Sequence, residues 1–135
     1  MWRIALPSAL VLTLGATLAP GAQAAAVQKR QLVELREEGG FAGIKDRVTV
    51  YTNGCVRLSH RTGPAVAKCL TVPEWRGVRH DLKRLRLGHN QAPPQGADFI
   101  KYTLAYKGKH VTRYALTTTW TPLVQRLEKI LRKYA

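Results

Sequence analysis

Residues 47–60 read RVTVYTNGCVRLSH, and the turn inside this stretch decides how the rest of the chain can pair. Val48, Val50, Val56 and Leu58 alternate with other residues on either side of Asn53-Gly54, the pattern of two half-buried strands joined by a tight connection. A two-residue Asn53-Gly54 loop would pair Thr52 with Cys55 and set Val50 opposite Arg57. A three-residue loop, Thr52-Asn53-Gly54, pairs Tyr51 with Cys55, so that Val50 faces Val56 and Val48 faces Leu58. Only this second register buries all four apolar side chains together, because a one-residue slip turns half of them to water. Gly54 then takes the left-handed position of a type I turn with a G1 bulge.

Working outward, RQLVELREE (30–38) is bounded by Gly39-Gly40 and predicts a first strand. On the other side, RTGPAVAK (61–68) is expected to return the chain irregularly to Cys69, near the hairpin turn. In TVPEWRGVRHDLKRLRLG (71–88), Thr71 and Glu74 form a capping-box signature with Pro73 in the first turn. Trp75, Val78, Leu82 and Leu85 recur at helical spacing, and Gly88 stands where a C-terminal cap belongs. The Lys and Arg of that segment fall largely on its other face, as on a solvated helix surface.

The Pro- and Gly-containing stretch 88–97 is a loop. DFIKYTLAY and HVTRYALT, joined by Lys107-Gly108-Lys109, predict a second hairpin with Ile100, Tyr102, Leu104 and Tyr106 on one face. TPLVQRLEKILRKYA closes the chain as a helix, with Thr121 as N-cap, Pro122 at its first position, and Leu123, Leu127, Ile130, Leu131 and Tyr134 facing the core. The fold class is therefore α+β: an antiparallel sheet of about 4–5 strands in the order β-β-β-α-β-β-α, with two helices on one face.

The N-terminus places one cation, Arg3, before an apolar run that ends at Pro20-Gly21 and Ala22-Gln23-Ala24. That is the pattern of a secretory signal peptide over residues 1–24, leaving a single domain over 25–135 and a secreted, extracellular product. No second apolar run of spanning length follows. Of 22 Lys+Arg, Arg3 leaves with the signal, so 21 cations face 8 Asp+Glu and the net charge of the remainder is +13. Such a balance favours anionic surfaces as partners, but the cations are spread along the chain and do not amount to a nucleic-acid code. Cys55 and Cys69 are the two cysteines, and an even count in an exported chain favours a disulfide between them. A monomer is expected.

Catalytic chemistry is hard to assemble from this inventory. His60, His80, His89 and His110 show no metal-ligand spacing, and the cysteines are better used on each other, so no metal and no cofactor are expected. After the signal the only serine is Ser59; its neighbour His60 would point to the opposite strand face, which excludes a nucleophile–base pair. The acids suggest no pair either: Glu37 and Glu38 are adjacent, Glu34 and Asp46 lie near strand ends, and Glu74 has a capping role. An enzyme is not expected.

LVELREEGGFAGI (32–44), followed by a strand hairpin, resembles the N-terminal signature of the emfourin family, small bacterial protein inhibitors of thermolysin-like zinc metalloproteases. DFIKYTLAYKGKHVTRY (98–114) and TPLVQRLEKIL (121–131) are similar to the family's later strand hairpin and C-terminal helix, so the resemblance covers most of residues 31–131. Its sharpest motif is Gly39-Gly40-Phe41-Ala42-Gly43. The signal peptide and the cysteine pair depart from the compact family pattern and suit a secreted branch. The resemblance implies an inhibitor of a thermolysin-like metalloprotease, with Gly39, Gly40, Phe41, Ala42, Gly43 and Ile44 as protease-contact candidates, Phe41 as anchor and Ile44 second. Two roles are open to Phe41. It fills an apolar pocket beside the enzyme's zinc, or it folds back as a plug over the end of the sheet.

Overall fold

The computed structural model describes residues 30–96 and 98–135; the signal peptide assigned to 1–24 lies outside them. Six strands and two helices follow in order: β1 (Gln31–Gly39), β2 (Ile44–Tyr51), β3 (Cys55–His60), β4 (Val66–Cys69), α1 (Val72–Arg84), β5 (Ile100–Tyr106), β6 (Lys109–Arg113) and α2 (Trp120–Tyr134). They build one antiparallel sheet in the order β4-β3-β2-β1-β5-β6. The α+β class holds, with more strands than the sequence suggests.

The decisive hairpin has the three-residue loop. Val50 pairs with Val56 and Val48 with Leu58, Gly54 N donates to Tyr51 O at 3.1 Å, and Gly54 sits at φ 82°. Segment 61–68 departs from expectation. Its second half is β4, an edge strand that pairs Val66 with Leu58 and brings Cys69 directly opposite Cys55, where the disulfide forms. Gly63 and Pro64 break the stretch in sequence, and the strand after them has only four residues, too few to show a period. The β5–β6 connection is also tighter than expected. Tyr106 pairs with Lys109, leaving only Lys107 and Gly108 in the loop, both at positive φ (51° and 75°), because a two-residue turn of that hand matches the twist of the strands.

The capping box of α1 is present: Glu74 N donates to Thr71 Oγ1 at 3.3 Å and Thr71 N to Glu74 Oε1 at 2.9 Å. The helix ends earlier than Gly88 suggests. Leu85 is already extended, because the following segment is held by α2: the Trp120 indole N–H donates to the carbonyls of Arg86 and Leu87. α2 in turn starts at Trp120, before Thr121 and Pro122, since Thr121 N already donates to Thr117 O at 3.0 Å. Farther along, Asn90 and Gln91 clamp the outer side of β6. Thr112 N donates to Asn90 Oδ1, Gln91 N donates to Thr112 O, and Tyr114 N and Ala115 N donate to Gln91 Oε1.

The helices run antiparallel to each other over one face of the sheet, meeting at Glu74 with Lys133 and Tyr134, and at Asp81 with Arg126. Asp81 is buried, and Arg126 Nε reaches its Oδ2 at 2.5 Å. The guanidinium lies where a Cβ at position 77 would be, so a side chain there would displace it. Of the predicted helical stripes, Val78, Leu82, Leu123, Leu127, Ile130 and Leu131 are buried. Trp75, Leu85 and Tyr134 pack partly buried against the core, while Trp120 and Val124 join it unforeseen.

Strand register arranges the covered face in rows. Val33, Val50 and Val56 form one; Leu35, Val48, Leu58 and Leu104 form the next. The third row changes character: Glu37 stands opposite both Asp46 and Tyr102, and Asp46 opposite His60. The uncovered face is polar. Its Glu34 is buried, accepts from Arg36 Nε and receives the Thr49 hydroxyl at 3.1 Å.

Candidate functional site

β1 and β2 are joined by residues 40–43, with Gly39 paired to Ile44. Gly39, Gly40 and Gly43 have φ of 109°, 75° and 61°, a region that other residues enter only with strain. Position 39 is restricted twice, since a Cβ there would sit 2.6 Å from the Phe99 carbonyl oxygen. The turn is held by Gly43 N donating to Gly40 O at 3.2 Å and by Phe41 N donating to Asp98 Oδ1 at 3.1 Å.

At the apex, Phe41 is 86% exposed, so it does not fold back over the sheet end. Ala42 and Gly43 are exposed beside it. Ile44 is half-buried and, with Ala42, faces a cleft that runs under α2. The turn thus presents a single large apolar side chain. The other aromatic at this end, Phe99, is 43% exposed on the segment entering β5. The sequence reading did not single it out, although its neighbour Asp98 holds the Phe41 backbone. The proline-containing loop 88–96 is fixed to β6 through Asn90 and Gln91.

Below the turn, the third row of the sheet meets α2. A cleft of about 420 Å³ there is lined by Glu37, Asp46, His60, Glu128 and Arg132, with apolar walls including Ile100 and Leu131. Asp46 Oδ1 lies 2.7 Å from His60 Nδ1 and accepts from Arg61 N. Glu37 is 5% exposed. Burial first, then a hydrogen bond with Glu128 and the charges of Glu128 and Asp46, push its carboxyl up to about 8 against the pull of Arg132. Burial and the same two glutamates also raise the Tyr102 phenol. The sequence reading found no such acidic pair, because Glu128 lies on the last helix and no local pattern ties it to Glu37.

Ser59 and His60 are neighbours on β3, and Cys55 and Cys69 are joined. Among the described residues no group of three or more His, Cys, Asp or Glu side chains is arranged to hold a metal ion, and no helix is long and apolar enough to cross a membrane. No family model, curated protein or solved structure matches the chain.

Proposed function

We propose that the chain is a reversible, stoichiometric inhibitor of a thermolysin-like zinc metalloprotease, with the 39–44 turn entering the enzyme's cleft. The observation that carries this reading is Phe41: a large apolar side chain, 86% exposed, at the tip of a turn whose backbone is already fixed. Transferring it from water into a pocket supplies about 1.5–3 kcal/mol, and a preformed turn has little ordering cost left to meet on binding. The glycines keep the backbone beside it slim, so strand can approach strand. The similarity of LVELREEGGFAGI to emfourins supports the choice of enzyme class, and the signal-peptide pattern supports an exported target.

Titrating the purified protein against a thermolysin-like and a trypsin-like protease tests the proposal. A 1:1 endpoint with the zinc enzyme alone is expected. Phe41→Ala should weaken binding by about 2–4 kcal/mol, as anchor truncations do, and Arg57→Ala on the uncovered face should leave it unchanged. No inhibition of any zinc protease would reject the reading.

A second reading, an anion-binding module, is favoured by one feature. Arg76, Arg79, His80 and Lys83 surround a groove of about 360 Å³ on α1, with no acidic partner among the described residues. Salt separates the two. Phosphate-driven binding weakens steeply as salt rises, whereas an apolar anchor in a pocket persists.

A further inference from the structure

Glu37 projects from β1 beneath α2, is buried, and places its carboxyl group beside that of Glu128 in the same seam. Two ionised carboxylates repel and have no donor between them, so this contact requires a proton on one. Glu37 Oε1 is buried with no hydrogen-bond partner among the described residues. No protein donor is therefore in place to compensate the charge if that proton leaves. The same two side chains, with Leu35, Asp46, Val48 and Leu131, form the seam between α2 and the sheet.

We infer that Glu37 and Glu128 form a proton-held latch, which fastens the C-terminal half of α2 to the sheet end carrying the Phe41 turn and opens in alkaline medium.

Every element packed against the pair bears on the sign. From β2, Asp46 opposes a second negative charge, although His60 of β3 and the Arg61 backbone N–H partly occupy it. From β5, Tyr102 stands directly opposite Glu37. From α2, Glu128 opposes ionisation and Arg132 favours it. Opposition wins, and the folded-state value of about 8 lies above the ordinary glutamate value of 4.5. A carboxyl group so raised contributes stability that is fully present below about 4.5. That contribution declines as pH rises and is lost once pH passes the folded value near 8. Beyond that point the buried Glu37 carboxylate has no donor at Oε1 among the described residues to offset its charge.

Urea unfolding from pH 5 to pH 9.5, on the unaltered protein and on Glu37→Gln, tests the latch. The amide of Glu37→Gln can donate to Glu128 but cannot titrate. The unaltered protein should lose urea midpoint across pH 4.5–8, while Glu37→Gln should hold a nearly flat profile and exceed it at pH 9. Glu128→Gln should flatten the profile only in part, because Glu37 stays buried beside Asp46. Hydrogen exchange at pH 9 should quicken first in residues 128–134 and 39–46. A side-chain carboxyl ¹³C resonance titrating near pH 8 is expected in the unaltered protein, and this arm decides alone if a variant fails to fold. Parallel pH profiles in all three proteins, or no carboxyl titrating above about pH 6, would overturn the inference. None of these readouts involves a protease, so the latch and the inhibition reading can fail separately.

Discussion

The two ends of the sheet are closed by different means. At the end carrying turn 52–54, Trp75 of α1 lies against Gly54, Cys55 is bonded to Cys69, and the nearest row of the sheet is Val33, Val50 and Val56. At the end carrying turn 40–43, the row beneath α2 is Tyr102, Glu37, Asp46 and His60, and the aromatic side chain at the tip faces water. One end is sealed by a covalent bond and apolar contact, insensitive to pH. The other depends on ionisable groups and leaves its largest apolar side chain unpartnered. Stability is thus concentrated away from the turn that the proposed function uses, as expected where a surface is kept for a partner.

The largest expected effect is at the sealed end. Cys55→Ser with Cys69→Ser should cost about 3 kcal/mol, the loop-closure value for a bridge of this span, read as a fall in urea midpoint. A loss well below 1 kcal/mol would mean that β4 is held by pairing alone and the two ends are less different than they look. Next comes Gly39→Ala, at about 2 kcal/mol or more. It combines a positive φ of 109° with a Cβ 2.6 Å from the Phe99 carbonyl, and an unchanged melting temperature would show that the turn end yields easily.

Glu74→Ala comes third, because Glu74 links the helices that cover the two ends. Its partial burial alone would raise the carboxyl pKa. Hydrogen bonds from the Thr71 backbone and hydroxyl, the Tyr134 hydroxyl and Lys133 outweigh that and lower it to about 2. The contribution is present above the ordinary carboxylate range and is lost as pH falls through about 2, opposite in direction to Glu37. Loss of the cap should cost about 1 kcal/mol at pH 7, and a difference from the unaltered protein that persists undiminished below pH 2 would contradict this assignment. Smallest is Phe41→Ala, which should shift stability by less than about 0.5 kcal/mol. A larger loss would mean that the ring packs in solution and that the contrast between the ends is overdrawn.

How much of this was legible depended on the range of the signal. The register of β2 and β3 could be read because four apolar residues alternate within eleven positions (48–58), where one turn length satisfies all of them. The α1 cap needed only Thr71 and Glu74. β4 was hidden because four residues after a proline show no period. The start of α2 was misplaced because the capping rule favoured Thr121, whereas burial of Trp120 winds the chain two residues earlier, with Thr119 as N-cap. Glu37 and Glu128 meet only through tertiary packing, and nothing local in either segment announces it. At the turn, the glycine pattern gave the backbone conformation, but the direction of the Phe41 side chain depended on Asp98, more than fifty residues away.

The clamp that Asn90 and Gln91 place along β6 has a consequence for colloidal behaviour. The outer edge of a terminal strand is a template on which another chain can extend the sheet. Here Thr112 has both backbone groups engaged by the preceding loop, and the amides of Tyr114 and Ala115 are taken by a single side-chain oxygen. The opposite edge is only the four residues of β4, with Lys68 among them. Neither border offers a long, unoccupied run of donors and acceptors, so the sheet is guarded against the edge-to-edge growth that seeds fibrils.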